Sequence, residues 1–380
     1  MTFSTELKEF ENIIVVPFSE LLDNPRGMSF HRGGPIFPAW ESQLEVRYCR
    51  GGKPSDELPA SPSEYRKLDA DLLWCGPITL HYGHMISDFL MRLPYYLNEF
   101  TEDKKLCFAV HPRTGIKTVW ELPQWLRDIF QWFKIPLSNV VIVSEAVKVS
   151  KLIVAPQVEQ AGVPTNKADY FNVLESFASL NLDTYCKQGG KYYVSRAAMK
   201  HGKIAGEAYL EDIFSSLGFK VMRPESISVL EQLRIYSQAD ELVFSEGSAL
   251  HTLQLLGRIK ARVTILNRRT GTKLAVNFLK ERIKSLEYLD IGTLVFGLNV
   301  AGKDCPETGI TIPDWDLLRD ELARLFNSQI FVDKCFAKAL VEKDVKKWFE
   351  AEKSSQRARV AGSLEKITKG LADVNVDISD

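Results

Sequence analysis

Residues 191–267 read KYYVSRAAMKHGKIAGEAYLEDIFSSLGFKVMRPESISVLEQLRIYSQADELVFSEGSALHTLQLLGRIKARVTILN, and four strand-like runs alternate in them with three helix-like runs. Such alternation is the pattern of a parallel sheet wrapped by helices. Lys191, Tyr192, Tyr193 and Val194 form a short β-prone run that stops at Ser195 and Arg196. Residues 206–217 repeat apolar side chains at helical spacing up to Gly218, and 219–222 read as the next strand, closed by Pro224. Ser228, with Glu231 three residues on, has the capping-box form and opens a helix running to Ala239. Residues 241–245 are the third strand, Ser248 is placed to cap a short helix through Leu256, and 262–266 supply the fourth strand.

In an open parallel sheet, ligands sit beyond the carboxyl ends of the strands, so Ser195, Arg196 and the turn at 246–251 are expected to line one crevice. Gly247 admits close approach to the backbone, the amides opening the Ser248 helix suit a phosphate, and Arg196 adds a forked cation. A plain strand-to-helix turn beside a surface arginine needs no ligand, and spacing alone does not separate the two readings.

A chain of 380 residues, 45% hydrophobic and 26% charged, is long enough for two α/β domains. Its formal net charge of -1 gives no global attraction to nucleic acid, and no nucleic-acid-binding motif is present. Residues 1–11 are polar, without an apolar signal region, and no later run approaches a membrane span, so the expected location is the cytoplasm. The six cysteines are scattered, without a CxxC pair, and read as reduced structural thiols.

Earlier in the chain, strands are expected at 13–16, 44–49, 72–75, 106–110, 140–143 and 152–155, with helices at 118–133 and 169–185. The Gly-, Pro- and Arg-rich stretch 24–38 reads as a loop, and 187–190 as a hinge. Trp120, Trp125 and Trp132 read as packing anchors. Beyond 267, a helix at 272–283, strands at 286–290 and 293–296, an irregular stretch at 299–313, and helices at 314–326, 333–349 and 354–371 are expected. The basic run 343–347 beside Trp348 and Phe349 offers a contact to an anionic membrane surface, although a solvated helix face is the plainer account.

The most informative segment of this half is a helix predicted over 80–93, capped by Thr79 and ended by Pro94. Ile86, Phe89, Leu90 and Leu93 share its apolar face. At ~100° per residue, His81, His84, Asp88 and Arg92 fall within about 80° of one another on the opposite side. Gly83 costs the helix about 1 kcal/mol relative to Ala, which implies something packed closely against that turn. The stripe reads as a catalytic site holding a neutral histidine, with a solvated polar face and a His81, His84, Asp88 metal site as the alternatives.

Two blocks together resemble glycosyltransferase family 61. One is His81-Tyr-Gly-His84-Met-Ile-Ser-Asp88-Phe-Leu-Met-Arg92-Leu-Pro94. The other runs from Tyr193-Val-Ser195-Arg196 through Glu207, Leu217-Gly-Phe219 and Glu231-Gln232 to Ala239 and Gly247-Ser-Ala-Leu250. The chain departs from the family in having Glu246 where many members place a His before the glycine turn, and His251 where they carry Thr or Ser.

The resemblance implies a GT-B-like α/β architecture, two Rossmann-like domains with parallel sheets facing a central cleft, followed by C-terminal helices. On that expectation the acceptor domain spans 1–186, the nucleotide-sugar domain 187–300 and a helical extension 301–380. It also implies inversion at the anomeric carbon, no metal or other cofactor, a nucleotide-sugar donor, and a glycan or lipid-linked glycan acceptor of bacterial capsule or surface polysaccharide. The expected catalytic residues are Asp88 or His84 as base, with His81 beside them and Arg92 orienting Asp88. The expected donor-binding residues are Ser195, Arg196, Lys200, Glu207, Glu246, Gly247, Ser248, Ala249 and His251. A nucleotide-sugar epimerase of the same fold and a non-catalytic glycan- or nucleotide-binding scaffold are the alternative functions.

Overall fold

The computed structural model describes residues 7–20, 30–97, 104–160, 168–182, 189–299 and 301–376. The loop expected at 24–38 and the hinge expected at 187–190 lie partly outside these residues, and Cys186 wholly so. The structure is mixed α/β with parallel sheets, compatible with Rossmann-like folds.

Residues 7–160 build a seven-stranded sheet, in the order Asp56–Glu57, His31–Pro35, Lys8–Glu20, Val147–Val154, Arg66–Ile78, Lys104–Val110, Val140–Val143. Its last four strands pair in parallel, whereas Lys8–Glu20 runs antiparallel to both of its neighbours. A second sheet of five strands is parallel throughout and runs Lys220–Met222, Lys191–Val194, Glu241–Ser245, Ile259–Asn267, Ile283–Asp290. Leu242, Val243 and Phe244 are fully buried in its central strand, as a continuous apolar run covered on both faces requires. In chain order this sheet reads 2-1-3-4-5, so its switch point lies between Lys191–Val194 and Glu241–Ser245, where Ser195 and Glu246 leave the sheet.

One apolar cluster runs without interruption from Leu106, Phe108 and Ile129 of the first part to Leu233, Leu253 and Ile265 of the second. Polar contacts seal the same junction: Tyr82 Oη lies 2.7 Å from Thr252 Oγ1, and Asp128 Oδ2 accepts the Val229 amide at 3.1 Å. Behind them, buried Arg282 pairs with buried Glu159 and donates to the carbonyls of Gln254, Leu256 and Phe278.

Several expectations are corrected. The strand expected at 44–49 is a turn at 44–46 followed by only Cys49–Arg50, because Arg92 takes up the backbone carbonyls of Val46 and Arg47. His31–Pro35, expected as loop, pairs with Lys8–Glu20. The helix expected at 272–283 shrinks to Val276–Leu279, since Ile283 already belongs to the last parallel strand. The stretch 299–313, expected to be irregular, contains Asp304–Pro313, a strand between Gly292–Leu298 and Lys203–Ile204 in a small third sheet. The helix expected at 354–371 is broken at Gly362, leaving a short turn at Gln356–Arg359 and a helix at Ser363–Ala372.

Trp132 is a core anchor, but Trp120 is exposed and Trp125 is half-buried against the Tyr82 ring, 5.2 Å between centroids. Trp348, weighed above as a membrane contact, is buried and donates to the Thr308 carbonyl at 2.9 Å. Among the described residues no helix is long and apolar enough to cross a membrane.

Removing one partner of a buried ion pair leaves an uncompensated charge, a loss of about 3–5 kcal/mol. Glu159→Ala should therefore lower unfolding free energy by about that amount in urea titration, and a loss below about 1 kcal/mol would mean that Arg282 is satisfied by its carbonyl contacts alone.

Candidate active site

A cavity of about 1270 Å³ opens where the two large sheets meet. Arg50, residues 80–84, Ser87 and the Gln124, Trp125, Asp128 face form one wall, while Ser195, Arg196, the Gly247 turn, Arg268, Arg269 and residues 272–278 form the other. The second wall coincides with the switch point of the parallel sheet.

The segment predicted as one helix over 80–93 is three short pieces: an α-turn at Tyr82–His84, a π-turn at Met85–Phe89, and a helix at Leu93–Tyr96 that takes Pro94 inside its first turn. His81, not Thr79, is the N-cap; its Nδ1 accepts the His84 amide at 3.3 Å, while Thr79 Oγ1 accepts the His81 amide at 3.3 Å. The π-turn widens the spacing between turns and changes what each polar side chain faces.

His84 lines the cavity, and its Nδ1 lies 2.8 Å from Asp88 Oδ2. Asp88 is buried behind it; Oδ1 has no hydrogen-bond partner among the described residues, and Arg50 Nε is its nearest cation at 3.8 Å. His81 stands at the rim with its ring 4.5 Å from that of His84. Partial burial, and then neighbouring His84, hold its pKa below the ordinary value. Arg92 does not reach Asp88. It is fully buried, donates to the Val46 and Arg47 carbonyls at 2.5 and 3.3 Å, and lies over the Tyr48 ring at 4.1 Å, which makes it a pin for the 46–48 segment.

On the opposite wall, Arg196 is half-buried and lines the cavity. A Cβ on Gly247 would fall 2.1 Å from Arg196 Nη1 and 2.6 Å from Cζ, so the glycine is needed to seat this guanidinium. Ser248 does not cap the turn after it; the turn is a run of 3₁₀ at Ser248–Leu255 with Gly247 as its N-cap. Gly83 packs against that turn, its missing Cβ lying 3.2 Å from both Ser248 Oγ and His251 Cδ2, which is the close neighbour its presence implied.

Of the other expected donor-site residues, Ser195 lines the cavity with its hydroxyl turned away, and Glu207, Lys200 and Glu246 do not line it. Glu207 is fully buried beneath the Ser195–Arg196 turn, where it accepts the Arg196 amide at 2.7 Å and the Tyr193 hydroxyl at 3.0 Å. The Ser195 hydroxyl turns inward and donates to Glu211 at 2.7 Å. Lys200 is exposed and does not line the cavity. Glu246 has no exposed surface; it accepts the amides of Arg268 and Arg269 at 2.8 and 2.9 Å and the Arg269 guanidinium at 2.5 Å. Each of these carboxylates shapes the wall from below.

Arg268, Arg269 and Lys273 line the cavity and were missed from sequence, although the strand-end rule applied to Ile259–Asn267 leads directly to Arg268 and Arg269. Arg268 is buried, donates to the Pro306 carbonyl at 2.8 Å, and keeps Nε without a partner among the described residues. Burial moves its pKa down to about 10, so it remains a cation at neutral pH. Among the described residues, no group of three or more His, Cys, Asp and Glu side chains is placed to hold a metal ion.

His251 lines the cavity floor with Nδ1 2.6 Å from Gln254 Oε1, and burial lowers its pKa from 6.5 to about 4. A histidine kept neutral in the folded state contributes stability above the unfolded pKa and loses it as pH falls toward the folded one. His251 should therefore remove up to about 1.4 kcal/mol of stability per pH unit between those two values, and His251→Gln should flatten the slope in urea titrations at stepped pH. Equal slopes in the two proteins would show that His251 protonates as easily folded as unfolded.

The cavity thus sets a histidine backed by a carboxylate against a wall of three arginines, an arrangement suited to moving a proton on one side and holding an anion on the other. No curated protein matches this chain. Residues 82–270, which carry most of both walls, are similar to the family Glycosyltransferase 61, and this match supports glycosyl transfer as the general activity.

Proposed function

We propose that the protein is an inverting glycosyltransferase that takes a sugar from a nucleotide-sugar donor to a glycan or lipid-linked glycan acceptor in the assembly of a bacterial surface polysaccharide such as a capsule. The observation that carries this reading is the opposition of His84 and Asp88 to Arg196, Arg268 and Arg269 across one cavity. The cleft is read as that of a GT-B enzyme, with residues 1–186 on the acceptor side, 187–300 on the donor side, and 301–380 as an extension. The enzyme is placed in the cytoplasm, where a lipid-linked acceptor would be met at the inner face of the membrane.

His84 is the base in this reading and Asp88 its positioning residue, because His84 lines the cavity and Asp88 lies behind it. With Nδ1 turned to Asp88, Nε2 takes the proton of the acceptor hydroxyl. The hydroxyl oxygen bonds to the anomeric carbon as the bond from that carbon to the diphosphate oxygen breaks. The electron pair leaves on the diphosphate. Base and leaving group on opposite sides of the reacting carbon make this a single displacement, which inverts configuration. Arg196, Arg268, Arg269 and Lys273 supply the positive charge the leaving group needs, so no metal ion is required.

His84→Ala should lower turnover about 10²–10⁴-fold with donor affinity retained, and Asp88→Asn should lower it less while shifting the pH profile; unchanged turnover in His84→Ala would remove the base from this histidine. Arg269→Ala should weaken nucleoside diphosphate binding about 10- to 100-fold, the loss of one charge-assisted contact, as read by calorimetric titration. Chelation with EDTA should leave transfer unaffected, and a metal-dependent rate would contradict the cationic wall as sole counter-charge. Conversion of donor without acceptor would favour epimerisation over transfer.

A further inference from the structure

Residues 301–376 lie beyond the stretch that matches the family, yet they contact Arg268 and Arg269 directly and also the 201–206 stretch that holds Arg196. We propose that this C-terminal part aims the anion-binding wall, with Asp344 as its principal positioning residue. The proposal rests on the reading of the cavity as a diphosphate site and deepens it.

Arg268 and Arg269 are held from the Asp304–Pro313 strand. The Pro306 carbonyl accepts from Arg268 Nη1 at 2.8 Å, the Thr311 hydroxyl donates to the Arg268 carbonyl at 2.8 Å, and Glu307 Oε1 lies 3.6 Å from Arg269 Nη1. Arg196 is held by the 201–206 stretch, where the Gly202 carbonyl accepts from its Nε at 3.1 Å and the His201 carbonyl from its Nη2 at 3.4 Å.

That stretch is in turn fixed to the Lys334–Lys353 helix. Asp344 Oδ1 pairs with Lys203 Nζ at 2.8 Å and Oδ2 accepts the Gly206 amide at 2.9 Å. Buried Glu352, clamped by Arg357 at 2.7 and 3.2 Å, lies 3.8 Å from His201 Nδ1. Lys203 and Ile204 also pair with Ile310 and Thr311, so one strand serves both ends of the wall.

Gly202 joins the two. It sits at φ 59°, and a Cβ there would fall 2.8 Å from the Glu307 carbonyl oxygen and 3.3 Å from the Arg268 guanidinium. One backbone position is therefore wedged between Arg196 and Arg268. Guanidinium groups brought together repel, and they stay aimed only if acceptors behind them offset that repulsion and fix their direction. The His201, Gly202 and Pro306 carbonyls and the Glu246 and Glu307 carboxylates do this, and all but Glu246 are set in place by the strand and helix that follow residue 300.

The test is calorimetric titration of inorganic pyrophosphate into the full chain, well below the melting temperature, for wild type, Arg196→Ala, Asp344→Ala, Asp344→Asn and the Arg196→Ala/Asp344→Ala double variant. Asp344→Ala should weaken pyrophosphate binding about 10-fold, and Asp344→Asn, which keeps an acceptor for the Gly206 amide, should recover part of the loss. In the Arg196→Ala background Asp344→Ala should cost nothing more, because its effect passes through Arg196. Losses that simply add, or an unchanged Kd for Asp344→Ala while Arg196→Ala is weakened, would overturn the positioning role and leave the diphosphate reading standing. A wild type without pyrophosphate affinity, or an Arg196→Ala variant that binds as well as wild type, would overturn both. Should Asp344→Ala fail to fold, Glu352→Gln in the same two backgrounds decides the question, with the same dependence on Arg196 expected and additivity counting against it.

Discussion

A carboxylate with no access to solvent, Glu246, governs the geometry of the cleft. It leaves the end of the central parallel strand and gathers the amides of Arg268 and Arg269 together with one guanidinium, tying the ends of two adjacent strands into one turn. A buried carboxylate without such donors would be strongly unfavourable, and three of them make it a rigid fastening. The cationic wall follows from it: Arg268 and Arg269 leave that turn toward the cavity, and Arg196 reaches it from the neighbouring strand end against Gly247. An acidic residue at this place is therefore the structural counterpart of the positive surface above it, and needs no contact with ligand.

The other wall works by a different economy of charge. Asp88 is almost wholly enclosed, with one oxygen engaged by His84 and the other near Arg50, so its charge is expressed through the histidine. The proposed single displacement would use this division, with a proton accepted on one side of the sugar while negative charge accumulates on the other. Trp125 and Tyr82 complete that wall with an aromatic face beside the two histidines.

Much of this was legible in the order of residues, and the failures have identifiable causes. The strands Lys191–Val194 and Glu241–Ser245 and the helix after Ser228 announce themselves through continuous apolar runs, helical spacing and a cap that does form, with Ser228 accepting the Glu231 amide at 3.1 Å. His81, His84 and Arg196 come to one cavity because strand ends and a short turn carry them there. Arg92 misled because regular 100° steps put it beside Asp88, whereas the π-turn at Met85–Phe89 rotates it into the core. Glu207 was placed in the site through the family resemblance and Glu246 through the turn at 246–251, but a side chain at the start of a helix or the end of a strand points either into the cleft or under it, and period alone does not say which. The segment 272–283 carries helix-like spacing that is overridden when Arg282 is drawn into the buried pair with Glu159, a partner more than a hundred residues away. Asp304–Pro313 escaped notice because proline and glycine interrupt it, although its pairing on both sides holds it extended.

The shared core behind the cavity constrains how substrates come and go. Tyr82 to Thr252, Asp128 to the Val229 amide and Glu159 to Arg282 all cross the junction at the rear, over apolar packing that does not stop at the seam. A tweezer-like swing of one half against the other would have to strip those bonds and wet that interior. Opening by local movement is less costly, and it would fall to segments of the rim that these contacts do not hold, such as the partly exposed approach to the short Val276–Leu279 helix.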